Sequence, residues 1–143
     1  MKTDDRLIYQ LFMAQQKLRT YITNALHTES IRVTLGQAGI LFLLQRDDGQ
    51  TMTALSKTLG VKNATLTGLI DRLERSAFVM RRASKNDRRS IRIHITPEGI
   101  DECDKAKPVI KRVNEEIKSG FSQEQIEVFK RVLNSVLHKF NRS

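Results

Sequence analysis

Residues 81–92 carry six basic side chains (Arg81, Arg82, Lys85, Arg88, Arg89 and Arg92) and a single acid, Asp87. Like charges this close repel one another, so the fold gains nothing by gathering them. A polyanion does gain, because guanidinium and ammonium groups bind phosphate through charge-assisted hydrogen bonds. The excess begins earlier in the chain. Residues 62–92 hold nine basic and three acidic side chains, a net +6 of the chain's formal +9. Such a balance suits nucleic acid, an anionic membrane surface or an acidic protein.

Directly before this cluster lies NATLTGLIDRLER. On a helical wheel, Leu66, Leu69, Ile70 and Leu73 point one way, toward a core. Ala64, Gly68, Asp71 and Arg75 point the other way, with Thr65, Thr67 and Arg72 on the flanks. The outer face is small and polar at its N-terminal end and basic further on. That suits a helix entering a major groove N-terminus first, where small residues allow close approach and hydroxyls reach base edges. Gly68 costs ~1 kcal/mol relative to alanine in a helix interior, and close approach to DNA would offset it. The predicted DNA contacts are Asn63, Thr65, Thr67, Gly68, Arg72 and Arg75 on the helix, and Lys85, Asp87, Arg88 and Arg89 on the following loop. Taken singly, each has an ordinary reading: a tolerated glycine, threonines on a solvated face, a solvated charge run.

The elements that must hold these residues are legible from local signals. Residues 54–59 form a short helix that Thr53 is expected to cap. Gly60 stands where the chain leaves it, a position that often needs positive φ. Asn63 is expected to cap the next helix, which runs to about Ser76. Two helices joined by a glycine-containing turn of about three residues form a helix-turn-helix. The period then changes: Ile91, Ile93 and Ile95 alternate with polar residues, as on a half-buried strand, and residues 78–82 are expected to pair with it around an exposed loop.

Flanking segments are helical. Leu7, Leu11, Ala14, Leu18, Tyr21 and Ala25 form one stripe, and Ile8, Phe12, Ile22 and Leu26 a second. Together they are wider than one partner usually needs. Thr34 and Gln37 have capping-box spacing ahead of the apolar run from Ile40 to Leu44, as do Ser122 and Gln125, with Phe121 and Ile126 as a hydrophobic staple. Thr96-Pro97 opens a helix lined by Ile100, Cys103, Ala106, Ile110, Val113 and Ile117. Pro108 predicts a kink or break near residues 104–108. The last helix carries Phe129, Leu133, Val136, Leu137 and Phe140 along one face.

The fold class is mainly α with a small antiparallel β-hairpin, a winged helix-turn-helix over residues 31–96. Residues 1–30 and 97–143 supply flanking helices, the whole being one continuous structural unit. The first residues hold no apolar stretch of signal-peptide length, and no segment is long enough to span a bilayer. Cys103 is the sole cysteine, so no intrachain disulfide is possible. A soluble, cytoplasmic protein is expected. His27, His94 and His138 lack ligand partners at helical spacing, and no zinc pattern, nucleophile–base motif, P-loop or dinucleotide fingerprint is present. No catalytic residue, metal or cofactor is assigned, and no ligand site. The residues alone leave open a second reading, a winged-helix module that binds an acidic protein partner or structured RNA.

The order of these elements, with Asp87-Arg88-Arg89 followed by a hydrophobic strand and Ile95-Thr96-Pro97-Glu98-Gly99, resembles the MarR family of winged helix-turn-helix regulators across nearly the whole chain. The resemblance implies a homodimer built by the N- and C-terminal helices, bound to double-stranded DNA at a pseudo-palindromic operator. It implies Arg89 as the wing-tip residue for the minor groove, with Asp87 orienting it. It also implies a transcriptional repressor released by a small effector, anionic or phenolic, by a metal or by an oxidant. The chain departs from the family pattern at three points. Ala77 replaces the usual glycine in the turn before the wing, Pro108 sits inside the long fifth helix, and Cys103 does not match the position of a reactive cysteine in redox-sensing members.

Overall fold

The computed structural model describes residues 6–86 and 90–141. Six helices and three short strands follow in the order α1 (Leu7–Thr28), α2 (Leu35–Arg46), β1 (Gln50–Thr51), α3 (Met52–Leu59), α4 (Asn63–Arg75), β2 (Val79–Ala83), β3 (Ile91–Ile95), α5 (Pro97–Lys118) and α6 (Gln123–Lys139). They divide into two compact units, Met1–Val109 and Ile110–Ser143. No described helix is long and apolar enough to cross a membrane.

Local sequence accounts for most of the boundaries. Thr34 Oγ1 accepts the Gln37 backbone N–H while the Gln37 side chain accepts that of Thr34, so the expected capping box starts α2. A second box, Ser122 with Gln125, starts α6. Gly60 ends α3 at φ 67°, the left-handed conformation expected of it. Thr96 Oγ1 accepts the Gly99 N–H at the head of α5, and Pro97 takes the first helical position.

Three expectations need correction and a fourth, the hairpin, needs extension. Thr51, not Thr53, caps α3: its Oγ1 accepts the Ala54 N–H at 3.1 Å, and the helix already includes Thr53. Asn63 is not the cap of α4 but its first residue. The cap is Lys62, in extended conformation, with its carbonyl accepting the Leu66 N–H. The expected hairpin forms from β2 and β3 and gains a third strand, because Gln50 and Thr51 pair antiparallel with Ile93 and Arg92 in the order β1-β3-β2. Pro108 does not break α5, which is helical throughout. Proline removes one hydrogen bond from such a ladder, a local cost that packing of the surrounding turns offsets.

The core of the first unit gathers Leu26, Ile40, Leu41, Leu44, Leu55, Leu66, Ile70, Leu73 and Ile93, each at most 2% exposed. Removing one such leucine to alanine typically costs about 2–5 kcal/mol. α1 contributes to burial only through Ile22 and Leu26. Its other stripe remains outside, with Leu7 67% and Leu11 43% exposed. Arg32 and α5 tie this core together near its edge. The Arg32 guanidinium lies 4.7 Å over the Phe78 ring, and its backbone N–H donates to the buried Glu102 carboxylate at 2.6 Å.

In the second unit, α6 buries no residue fully. Ile117, Phe121, Gln125, Ile126 and Phe129 line an apolar hollow of about 410 Å³.

Candidate nucleic-acid interface

α4 turns Leu66, Ile70 and Leu73 into the core, while Leu69 is half-buried. The opposite face is open as the wheel requires. Asn63, Thr65, Thr67, Arg72 and Arg75 are exposed. Thr67 Oγ1 donates to the Asn63 carbonyl at 2.8 Å, which leaves its lone pairs free to accept. A Cβ added at Gly68 would meet nothing within 4 Å, so no packing inside this chain demands glycine there. Arg75 Nε reaches the Asp71 carbonyl at 3.4 Å, a weak contact that keeps the guanidinium along the helix's last turn.

α4 ends in a Schellman-type turn. Ala77 takes φ 63°, its N–H donating to Glu74 O and that of Phe78 to Leu73 O. The alanine that replaces glycine therefore does adopt the left-handed conformation, a strain of about 1–2 kcal/mol. Thr96 braces the turn. Its Oγ1 donates to the Ala77 carbonyl at 2.6 Å and its N–H to Phe78 O at 3.0 Å. Gly99 is pressed against the same place, since a Cβ there would lie 2.2 Å from Phe78 O. This gives the Thr-x-x-Gly of residues 96–99 a physical meaning: it clamps the base of the wing to the end of α4.

β2 and β3 pair from Val79↔Ile95 to Ala83↔Ile91. Their two faces sort the basic residues. Arg81 shares the side of the buried Val79 and Ile93, while Arg82 stands opposite Arg92 on the other. Like charges directly across a ladder are unfavourable. Arg92 Nη1 donates to the Gly49 carbonyl at 2.9 Å, and Arg82 is exposed. Ser84 N–H donates to Ser90 O just beyond the paired strands, and Lys85 and Asn86 are exposed. Asp87, Arg88 and Arg89 lie outside the described residues.

Two positioning contacts escaped the sequence reading. Arg81 binds Asp71 Oδ1 at 2.7 Å and Glu74 Oε1 at 2.5 Å. The hydrogen bond that Arg81 donates to Asp71, helped by the negative charges of Asp71 and Glu74, raises the Arg81 pKa further above its ordinary value. Asp48 accepts the Ile95 N–H at 2.8 Å and faces His94 Nδ1 at 3.1 Å, which fixes the turn before β1 to β3. The run Arg46-Asp47-Asp48-Gly49 has the residue types of a turn, but nothing in it names Ile95 as a partner.

Among the described residues, no group of three His, Cys, Asp or Glu is placed to hold a metal. Cys103 is buried in α5, its thiol donating to Gln45 Oε1 at 3.2 Å. Burial pushes that thiol up to about 11, so it stays protonated at neutral pH.

Comparison with known proteins agrees with this geometry. The sequence profile of the MarR family matches residues 33–91. The HTH-type transcriptional regulator MgrA of Staphylococcus aureus is 23% identical over 141 residues, 97% of this chain and 92% of that protein. The HTH-type transcriptional repressor YetL of Bacillus subtilis is 32% identical over 108 residues, 74% of this chain and 65% of that one. Among solved structures, the transcriptional repressor CouR bound to a 23-mer DNA duplex superposes with a TM-score of 0.82. It is 22% identical, over 95% of this chain and 97% of that one, and it supports the fold. A helix-turn-helix with an open polar face, a basic wing braced to it and a family match over the same residues lead to one conclusion: this chain belongs to the MarR family and is a winged helix-turn-helix DNA-binding transcriptional regulator, not an enzyme.

Proposed function

We propose that the protein is a homodimeric repressor that reads a pseudo-palindromic operator and is released by a small effector. The observation that carries this reading is the outer face of α4, exposed, small and polar at its start and basic at its end, beside the basic wing. Asn63, Thr65, Thr67 and Gly68 approach base edges in the major groove, and Arg72 and Arg75 bind phosphate. Lys85 and Arg88 track the backbone, while Arg89 enters the minor groove with Asp87 holding its guanidinium. The similarity to YetL and the likeness to CouR on DNA support repression of this kind. The protein acts in the cytoplasm, where its target lies.

The dimer is proposed from the apolar residues that the chain leaves open. In α1 these include Ile8 at 79% and Phe12 at 55% exposed, and in the second unit Phe121 at 61% and Phe129 at 47%. Apolar surface of this extent marks an association site. Residues 1–30 and 97–143 thus serve dimerisation and residues 31–96 serve DNA. A two-fold pair sets its reading helices roughly 34–36 Å apart, one turn of duplex, which requires an inverted repeat. The family resemblance supports a small anionic or phenolic effector.

The test is selection of duplexes from a random-sequence pool by the wild-type protein. The expected winner is an inverted repeat, bound with an affinity that falls by about 0.9 in log K per log salt for each phosphate neutralised. Arg89→Ala should weaken that binding about tenfold to a hundredfold with unchanged thermal stability. Selection of no sequence, or tighter binding to structured RNA than to any duplex, would overturn the reading.

A further inference from the structure

Nine basic residues lie between Lys62 and Arg92, yet the structure does not use them alike. Arg81 stands apart. It sits on the α4-facing side of the wing strand β2, and its guanidinium is bound by both acids of the reading helix, Asp71 and Glu74. Glu74 Oε2 also faces the Arg81 backbone N–H at 3.4 Å, so side chain and backbone meet the same carboxylate. By contrast, no described carboxylate pairs with Arg72, Arg82 or Lys85, and each of the three is exposed. We infer that Arg81 is a positioning residue for DNA recognition: clamped between Asp71 and Glu74, it fixes β2 against α4 and never touches DNA itself.

The inference rests on the DNA reading proposed above and deepens it. Helix and wing must enter adjacent grooves together, so their mutual spacing decides whether base contacts form. The clamp sets that spacing at the C-terminal half of α4. It also occupies two carboxylates that would otherwise repel phosphate from the reading helix. Ion pairs this exposed, with Arg81 28% and its partners 40% and 50% accessible, add little to folding. Their removal therefore leaves the protein folded and exposes the effect on recognition.

The probes are the duplex that wild-type protein selects from a random pool and a scrambled duplex of equal length. Arg81→Met and the double variant Asp71→Asn/Glu74→Gln are titrated against both across a salt series, with thermal melting as the check of folding. Arg81→Met is expected to lower affinity for the selected duplex on the order of tenfold more than for the scrambled one. The double variant is the sharper arm. It removes two negative charges, so binding to the scrambled duplex should strengthen, yet the preference for the selected duplex should fall by a similar factor. Parallel strengthening toward both duplexes, with the preference intact, would overturn the inference. So would a salt slope reduced by about 0.9 in Arg81→Met with the double variant harmless, because that is the mark of a phosphate contact. If Arg81→Met fails to fold, the double variant, which keeps side-chain size, decides the matter. If wild-type protein selects no duplex, the parent reading falls and takes this one with it; a selected duplex with unmoved variants sinks this one alone.

Discussion

The outer face of α4 and the outer face of α1 are both open to solvent, and the two openings differ in kind. On α4 the open residues are polar or charged apart from Ala64: Asn63, Thr65, Thr67, Arg72 and Arg75, with Asp71 and Glu74 beside them. Water solvates them well, and the monomer loses nothing by leaving them bare. On α1 the open residues include Leu7, Ile8, Tyr9 and Phe12, all more than half exposed. Water solvates these poorly, at about 25 cal/mol per Å² of apolar surface. One surface can wait for its partner indefinitely; the other calls for cover at all times. A polyanion that comes and goes suits the first, and a permanent second copy suits the second.

The largest expected effect separates the two surfaces. Phe12→Glu places a charge in the proposed dimer face without touching α4. Sedimentation should show a monomer, and affinity for the selected duplex should drop about a hundredfold or more, because two linked half-sites are lost. A variant that stays dimeric and binds normally would remove Phe12 from the interface.

Next in size is Gly99→Ala, which attacks the clamp at the base of the reading surface. Its Cβ would overlap the Phe78 carbonyl, so the backbone must shift. A loss of about 1–3 kcal/mol in denaturant unfolding is expected. Since Gly99 faces Phe78 and Ile95, the dimer should persist at temperatures where the variant is still folded.

Gly68→Ala sharpens the contrast by moving two readouts in opposite directions. The added methyl finds open space and improves helix propensity, so stability should rise by up to ~1 kcal/mol. Affinity for the selected duplex should fall several-fold if DNA comes within contact of that position. Stability and affinity rising together would show that Gly68 is a mild defect and no part of the interface.

The smallest effect is expected of Ala77→Gly. Relief of left-handed strain should exceed the added freedom of the unfolded chain, for a net gain of about 0.5–1 kcal/mol in thermal melting. Operator binding should stay within twofold, because the turn geometry is already the one glycine prefers.

Much of this molecule was readable in its residues, for a reason of range. The capping boxes of Thr34 with Gln37 and Ser122 with Gln125 act across three positions, and Gly60 acts at one. The apolar periods of α4 and α6 and the charge excess of residues 62–92 are equally local. Helix order, turn chemistry and an affinity for polyanions follow from such terms. What tertiary structure alone decided are relations between distant positions. Asp48 holds Ile95 across 47 residues, Gly99 yields to the Phe78 carbonyl, and a two-residue β1, too short to show any alternation, joins β3. The same holds for charge. Composition counted Arg81 among the free cations, but only the approach of β2 to α4 brought two carboxylates to it. A side chain's type fixes what it can bind, whereas the path of the chain fixes which partner arrives first, and no period in the sequence encodes that.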